Sequence, residues 1–149
     1  MVFSRSIIAL TATTLLTIAG PSFAMADEVG DQVKSAYSAW DAAFNNKDGK
    51  ALGAFYTDDA YLLPPTHKVI EGRAGIVDFF NGLFSGGVTA HKLEIIEAGG
   101  DGKLVYGAAK WSATGKDDKG QPATFAGVAT HVFEKQPDGS LKLKLQTFN

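Results

Sequence analysis

The chain has 149 residues, 45% of them hydrophobic and 20% charged, with a formal net charge of −2; this suits one ordinary globular domain. It contains no cysteine, which excludes disulfides, thiolate metal sites, a cysteine nucleophile and a lipid-modified N-terminal cysteine. The slightly acidic balance offers no electrostatic basis for nucleic acid or anionic membrane as a partner.

Residues 1–26 carry the pattern of a cleaved signal peptide. Arg5 is the only charge before Asp27, and Ile7 to Ile18 is an apolar run. Gly20-Pro21 then breaks it, and Ala24-Met25-Ala26 matches a small-x-small cleavage site,. Cleavage is expected after Ala26 or after Ala24. The run is shorter than the roughly twenty apolar residues a spanning helix needs, so no membrane attachment is expected after cleavage. The expected location is periplasmic or secreted. Loss of Arg5 leaves 13 basic against 16 acidic side chains, a net charge of −3.

Asp27 to Asn46 has the period of an amphipathic helix, with Val29, Val33, Ala36, Tyr37, Trp40 and Phe44 on one side and Asp31, Lys34, Ser38 and Asp41 on the other,. Asp48 is placed to cap a short second helix through Ala54,. Thr57-Asp58-Asp59 has turn chemistry. A short strand follows over Ala60–Leu63, and Pro64-Pro65 must end it because neither proline donates to a ladder,. His67 to Glu71 is its expected hairpin partner. The spacing of Ile76, Phe79, Phe80, Leu83 and Phe84 predicts a helix over Gly72–Ser85, terminated by Gly86-Gly87,.

Four strands are expected after it, at Thr89–Ala98, Lys103–Thr114, Ala123–Glu134 and Leu141–Phe148, separated by Gly- and Asp-rich turns,. In the last, Leu141, Leu143 and Leu145 alternate with Lys142, Lys144 and Gln146, which predicts leucines inward and Gln146 outward,. Helices followed by antiparallel strands argue an α+β fold with helices on one face of a sheet. One domain, residues 27–149, accounts for the rest of the chain.

Trp40-Asp41-Ala42-Ala43-Phe44, Phe55-Tyr56-Thr57-Asp58-Asp59-Ala60, Leu63-Pro64-Pro65, Gly72-Arg73-Ala74-Gly75-Ile76 and Asp138-Gly139 stand in this order along the chain. In this order they resemble the SnoaL-like domains of the nuclear transport factor 2-like superfamily, often described as ketosteroid-isomerase homologues. The resemblance covers essentially all of residues 27–149. It implies a cone-shaped fold, a curved and mostly antiparallel sheet wrapped around helices, a pocket open at one end, and a homodimer through the sheet's outer face. It does not imply one reaction, because this fold hosts isomerases, cyclases, hydratases, dehydratases and plain binding domains.

Ketosteroid isomerases use an aspartate base with an oxyanion hole of tyrosine and protonated aspartic acid. Counting without gaps from Asp58-Asp59-Ala60 puts Trp40 in the place of the tyrosine and Pro64 in that of the base. Thr130 falls near the acid. None of the three catalytic types is present, so that mechanism is rejected.

Asp58 and Asp59 are expected to serve a turn and face water, with Arg73 tying the start of its helix to one of them. Three histidines, His67, His91 and His131, are the side chains whose unperturbed titration falls near neutrality,. His67 follows Pro64-Pro65-Thr66 in a loop expected to overlook the pocket mouth, which makes it the candidate catalytic residue, with Tyr61 or Trp40 as hydrogen-bond donor. Thr130 is expected inward and His131 outward. Trp40, Tyr56, Tyr61, Phe80, Trp111 and Thr130 are the candidate ligand-binding residues. The expected ligand is a small, largely apolar molecule, bound without cofactor or metal. The alternative is a non-catalytic dimeric interaction or assembly module whose pocket is packed.

Overall fold

A computed structural model describes residues 21–149, with side chains from Glu28 onward. The expected leader lies outside the residues whose side chains are described. Among the described residues no helix is long and apolar enough to cross a membrane.

The elements run α1 (Pro21–Asn45), α2 (Gly49–Gly53), β1 (Tyr56–Leu63), β2 (Ile70–Glu71), α3 (Gly72–Ser85), β3 (Thr89–Asp101), β4 (Leu104–Lys116), β5 (Pro122–Lys135) and β6 (Leu141–Phe148). The six strands form one open, curved sheet in the order β2-β1-β6-β5-β4-β3. Only β1 and β6 pair in parallel; the other neighbours are antiparallel. This is the expected α+β architecture.

The 3.6-residue period of α1 becomes its buried stripe: Val33, Tyr37, Trp40, Ala43 and Phe44 all join the core,. From α3, Ile76, Phe80 and Phe84 enter the same core, and Val105, Ala109, Phe133 and Leu143 meet them from the sheet. Asp48 caps α2 as expected, its carboxylate accepting from the Ala51 N–H at 2.9 Å. Asp48→Ala is expected to cost about 1 kcal/mol, the usual value of such a cap, read as a lowered urea midpoint with unchanged slope. Gly53 lets α2 lie against α3, because a Cβ there would stand 2.5 Å from Val77 Cγ2.

The strands depart from simple alternation in three places. Thr57-Asp58-Asp59, expected as a turn, belongs to β1, but β1 pairs with β6 at Tyr56 and next at Tyr61, so the segment between bows out of the ladder. The charges of this bow are matched from outside. Arg73 Nη2 meets Asp58 Oδ1 at 2.8 Å, and Lys144 pairs with Asp59. Arg73 also donates to the Tyr56 carbonyl at 2.9 Å, tying α3 to the start of β1.

The second departure is at Lys144. Val132 pairs with Leu145 and Phe133 with Leu143, leaving Lys144 as an extra residue, a β-bulge,. Beyond it the strand's faces are exchanged. Leu143 and Gln146 are the buried residues of β6, so Gln146 points inward, against the expectation from alternation. The third lies at the start of β3, where Thr89 pairs with Thr114 and Lys92 with Ser112. Three steps on one strand oppose two on the other, and Ala90 takes a left-handed φ of 52°,.

On β5 the phase is opposite to that expected. Thr130 is exposed, whereas Ala129, His131 and Phe133 are buried. The larger Phe133 takes the core face rather than Val132, and strand periodicity carries His131 inward with it. There Tyr37 supplies a partner, its hydroxyl 2.8 Å from His131 Nδ1. Gly107, opposite His131 on β4, makes room for that contact, since a Cβ there would stand 2.4 Å from the Tyr37 hydroxyl.

Candidate functional site

A cavity of about 320 Å³ opens between α1, α3 and the inner face of the sheet. Its floor is buried side chains: Trp40 and Phe44 from α1, Phe80 from α3, Ala113 and Ala129 from the sheet. The rim is exposed, with Pro65 and Thr66 on one side, Gly86 behind α3, and Lys116 and Phe125 at the ends of β4 and β5. Three of the expected ligand-binding residues, Trp40, Phe80 and Trp111, line this space.

The other expected site residues lie elsewhere. Tyr56 is fully buried and stands outside the lining, behind Trp40. Tyr61 is 37% exposed and donates to Glu71 at 3.1 Å; Ala60 and Leu62 occupy the core phase of β1, so alternation sends Tyr61 the other way,. Thr130 is on the outer face for the reason given above. His67 follows the rim residue Thr66, but its backbone turns through a left-handed φ of 61° and its side chain is exposed and outside the lining. The position expected for His67 at the cavity is held by His91 instead.

His91 is placed from three directions. The bulge at the start of β3 sets its backbone, and Asn45 grips that backbone twice: Asn45 Nδ2 donates to the His91 carbonyl at 2.8 Å, and the His91 N–H donates to Asn45 Oδ1 at 2.7 Å. Its ring Nδ1 lies 2.7 Å from Asp41 Oδ1. A carboxylate only accepts, so Nδ1 carries the proton and donates, and in the neutral ring Nε2 keeps its lone pair. Asp41 is fixed in turn by the Leu93 N–H, which donates to Oδ2 at 2.8 Å. The imidazole is packed against Trp40 and Phe44, with ring centroids 4.9 and 4.7 Å away, and lies parallel to Trp111 at 6.2 Å. A histidine oriented by a carboxylate and set in an aromatic wall is suited to general acid–base work.

The second polar feature is a chain of hydrogen bonds below the floor. Trp40 Nε1–H donates to the Tyr56 hydroxyl at 3.1 Å, and Tyr56 donates to Gln146 Oε1. The indole can only donate, so the direction of the chain is determined, and with it the orientation of the Gln146 amide. Burial holds the Tyr56 phenol protonated, pushing its pKa far up, with the Trp40 hydrogen bond opposing. Gln146 itself lines the cavity. Nearby, His131 is driven down to about 4 by burial, the Gly107 carbonyl opposing and His91 adding to the shift; it is a neutral structural partner of Tyr37 outside the cavity lining.

Neither His91, Asp41 nor Gln146 was among the residues expected at the site. Asp41 stands inside the motif Trp40-Asp41-Ala42-Ala43-Phe44, and that is the one signal in the chain that marks it. Among the described residues, histidines and carboxylates nowhere gather in a group of three that could hold a metal ion.

The pattern of the SnoaL-like domain family matches residues 37–142. A search of curated proteins gives no match. Among solved structures, the chain is similar to a ketosteroid isomerase-like protein from Erwinia carotovora atroseptica, at 22% identity and TM-score 0.71, covering 82% of this chain and 95% of that one. It is similar to a protein from Novosphingobium aromaticivorans described as nuclear transport factor 2-like with a cystatin-like fold, at 14% identity and TM-score 0.69, covering 88% and 90% of the two chains. A nuclear transport factor 2-like superfamily protein from Salmonella enterica serovar Typhimurium matches at 14% identity and TM-score 0.68, covering 83% and 91%. At such identities the likeness is one of fold.

Proposed function

The chain belongs to the SnoaL-like domain family, and from that premise we propose that it is an exported protein whose cavity binds a small, largely apolar molecule without a cofactor. The observation that carries this reading is the cavity's make-up: aromatic and aliphatic walls around a histidine held by Asp41. Pockets built for small molecules pair such walls with a few placed polar groups. The His91–Asp41 pair gives the cavity a proton-transfer group, which supports cofactor-free isomerase, cyclase or hydrolase chemistry. His67 is exposed and outside the cavity lining, and has no role in this reading.

Native mass spectrometry of protein taken from its own host's envelope, before and after organic extraction, tests the binding reading. A small molecule that co-purifies and leaves on extraction supports it and names the ligand's class; protein found only in the cytoplasm overturns the exported location. With a substrate in hand, His91→Gln is expected to lower kcat by about 10²–10⁴, the usual contribution of a positioned acid–base group, with a thermal transition near that of the parent. Undiminished turnover in that variant removes His91 from the chemistry.

A second reading concerns the outer face of the sheet. Tyr106 and Val128 are 42% and 48% exposed there, apolar side chains that a partner's sheet would cover. We propose this face as the contact of a homodimer, whose mass in sedimentation would be twice that of the chain. A monomer at micromolar concentration overturns it.

A further inference from the structure

Of the side-chain polar atoms that Trp40, Trp111, His91 and Gln146 bring to the cavity, all but two have a protein partner among the described residues. Trp40 Nε1 is given to Tyr56, and Trp111 Nε1 donates to the Asn149 carbonyl at 3.1 Å. Gln146 Oε1 is taken by Tyr56 and His91 Nδ1 by Asp41. What remains is the Gln146 amide NH₂ and His91 Nε2. Neither is sealed inside protein among the described residues, and both residues line the cavity.

The two are opposite in kind. With its ring neutral, His91 Nε2 accepts, and the Gln146 NH₂ only donates. Both are delivered by a β-bulge, one at the start of β3 and one at Lys144, and both are linked to Trp40, which touches the His91 ring and donates into the chain that ends at Gln146. Bulges re-aim side chains beside functional sites, and two of them bring an acceptor and a donor to a cavity whose floor is otherwise aromatic and aliphatic.

We propose that the molecule this cavity takes is a one- or two-ring apolar compound with a hydroxyl that donates to His91 Nε2 and a carbonyl-type oxygen that accepts from Gln146. This rests on the reading of the cavity as a ligand site and specifies what fills it. A ligand lacking either group leaves a buried polar atom without its partner, which is the costly side of hydrogen bonding.

The test uses probes on the full domain: the 5-, 6- and 7-hydroxy isomers of 2-acetonaphthone, with 2-acetonaphthone, 1-naphthol, 2-naphthol and naphthalene as references, measured by equilibrium dialysis. In at least one hydroxy isomer each polar group is expected to tighten binding roughly five-fold over the reference that lacks it, the scale of one net hydrogen bond. His91→Phe then abolishes the hydroxyl's gain alone, and Gln146→Leu the carbonyl's gain alone. If a variant does not fold, the probe series on the unaltered protein decides. Equal affinity for all probes overturns the donor–acceptor assignment while leaving an apolar binding site. Failure of every probe to bind, naphthalene included, overturns both.

Discussion

Phe44→Ala is expected to lower the free energy of unfolding by about 3–5 kcal/mol, the range for removing a buried aromatic ring. Phe44 is 1% exposed and is the hub of the aromatic cluster. Its ring centroid lies 5.3 Å from that of Trp40, 6.0 Å from Phe80, 5.0 Å from Phe84 and 4.7 Å from His91. Because one side of Phe44 borders the cavity, the space left by truncation joins an existing void, and the walls have little to collapse onto. Urea unfolding measures the loss. A change below about 1 kcal/mol would mean that the cluster repacks, contrary to a rigid cavity floor. The same variant enlarges the cavity next to His91, so any ligand found is expected to tolerate a bulkier ring there.

The second large effect is on acid stability. His131 is 1% exposed and its folded-state pKa is lowered to about 4 by burial, against about 6.5 in an unfolded chain. Between those values the unfolded chain binds a proton that the folded chain does not, so stability falls as pH falls through this window. The loss reaches about 3 kcal/mol by pH about 4 and is absent above pH about 6.5. Urea unfolding at neutral pH and near pH 4.5 measures it. His131→Gln keeps an acceptor for the Tyr37 hydroxyl and removes the titration, so it is expected to flatten this slope. An equal acid slope in His131→Gln would place the sensitivity in other groups.

The helices and the order of strands were legible because their signals are local. Apolar residues three and four apart along α1 and α3, the Asp48 cap and the Gly86-Gly87 stop each act within a turn or two of chain. The site was much less so. Trp40, Phe80 and Trp111 were recognisable as large aromatics on inward faces, but Tyr61 and Thr130 depended on strand phase. Where apolar residues stand on both faces, as Val132 and Phe133 do on β5, only packing against α1 decides it. His91 and Gln146 were hidden for a stronger reason. His91 lies within a bulge and Gln146 just after one, and a bulge is a property of two strands' register that neither strand displays by itself. His67 was misplaced because a left-handed turn after Pro64-Pro65 directs it to solvent.

The extra residue at Lys144 has an implication for how such a cavity changes over generations. If the ladder kept all of its residues but ran without the bulge, uniform alternation from Leu143 would put Leu145 on the inner wall and Gln146 outside,. The interior's polarity at this end is therefore set by register, not by a choice of amino acid. A lineage of these domains can turn a wet corner into a dry one, or the reverse, by losing or regaining the bulge in the last strand, with every neighbouring side chain retained. The Lys144–Asp59 ion pair marks which of the two states this chain occupies.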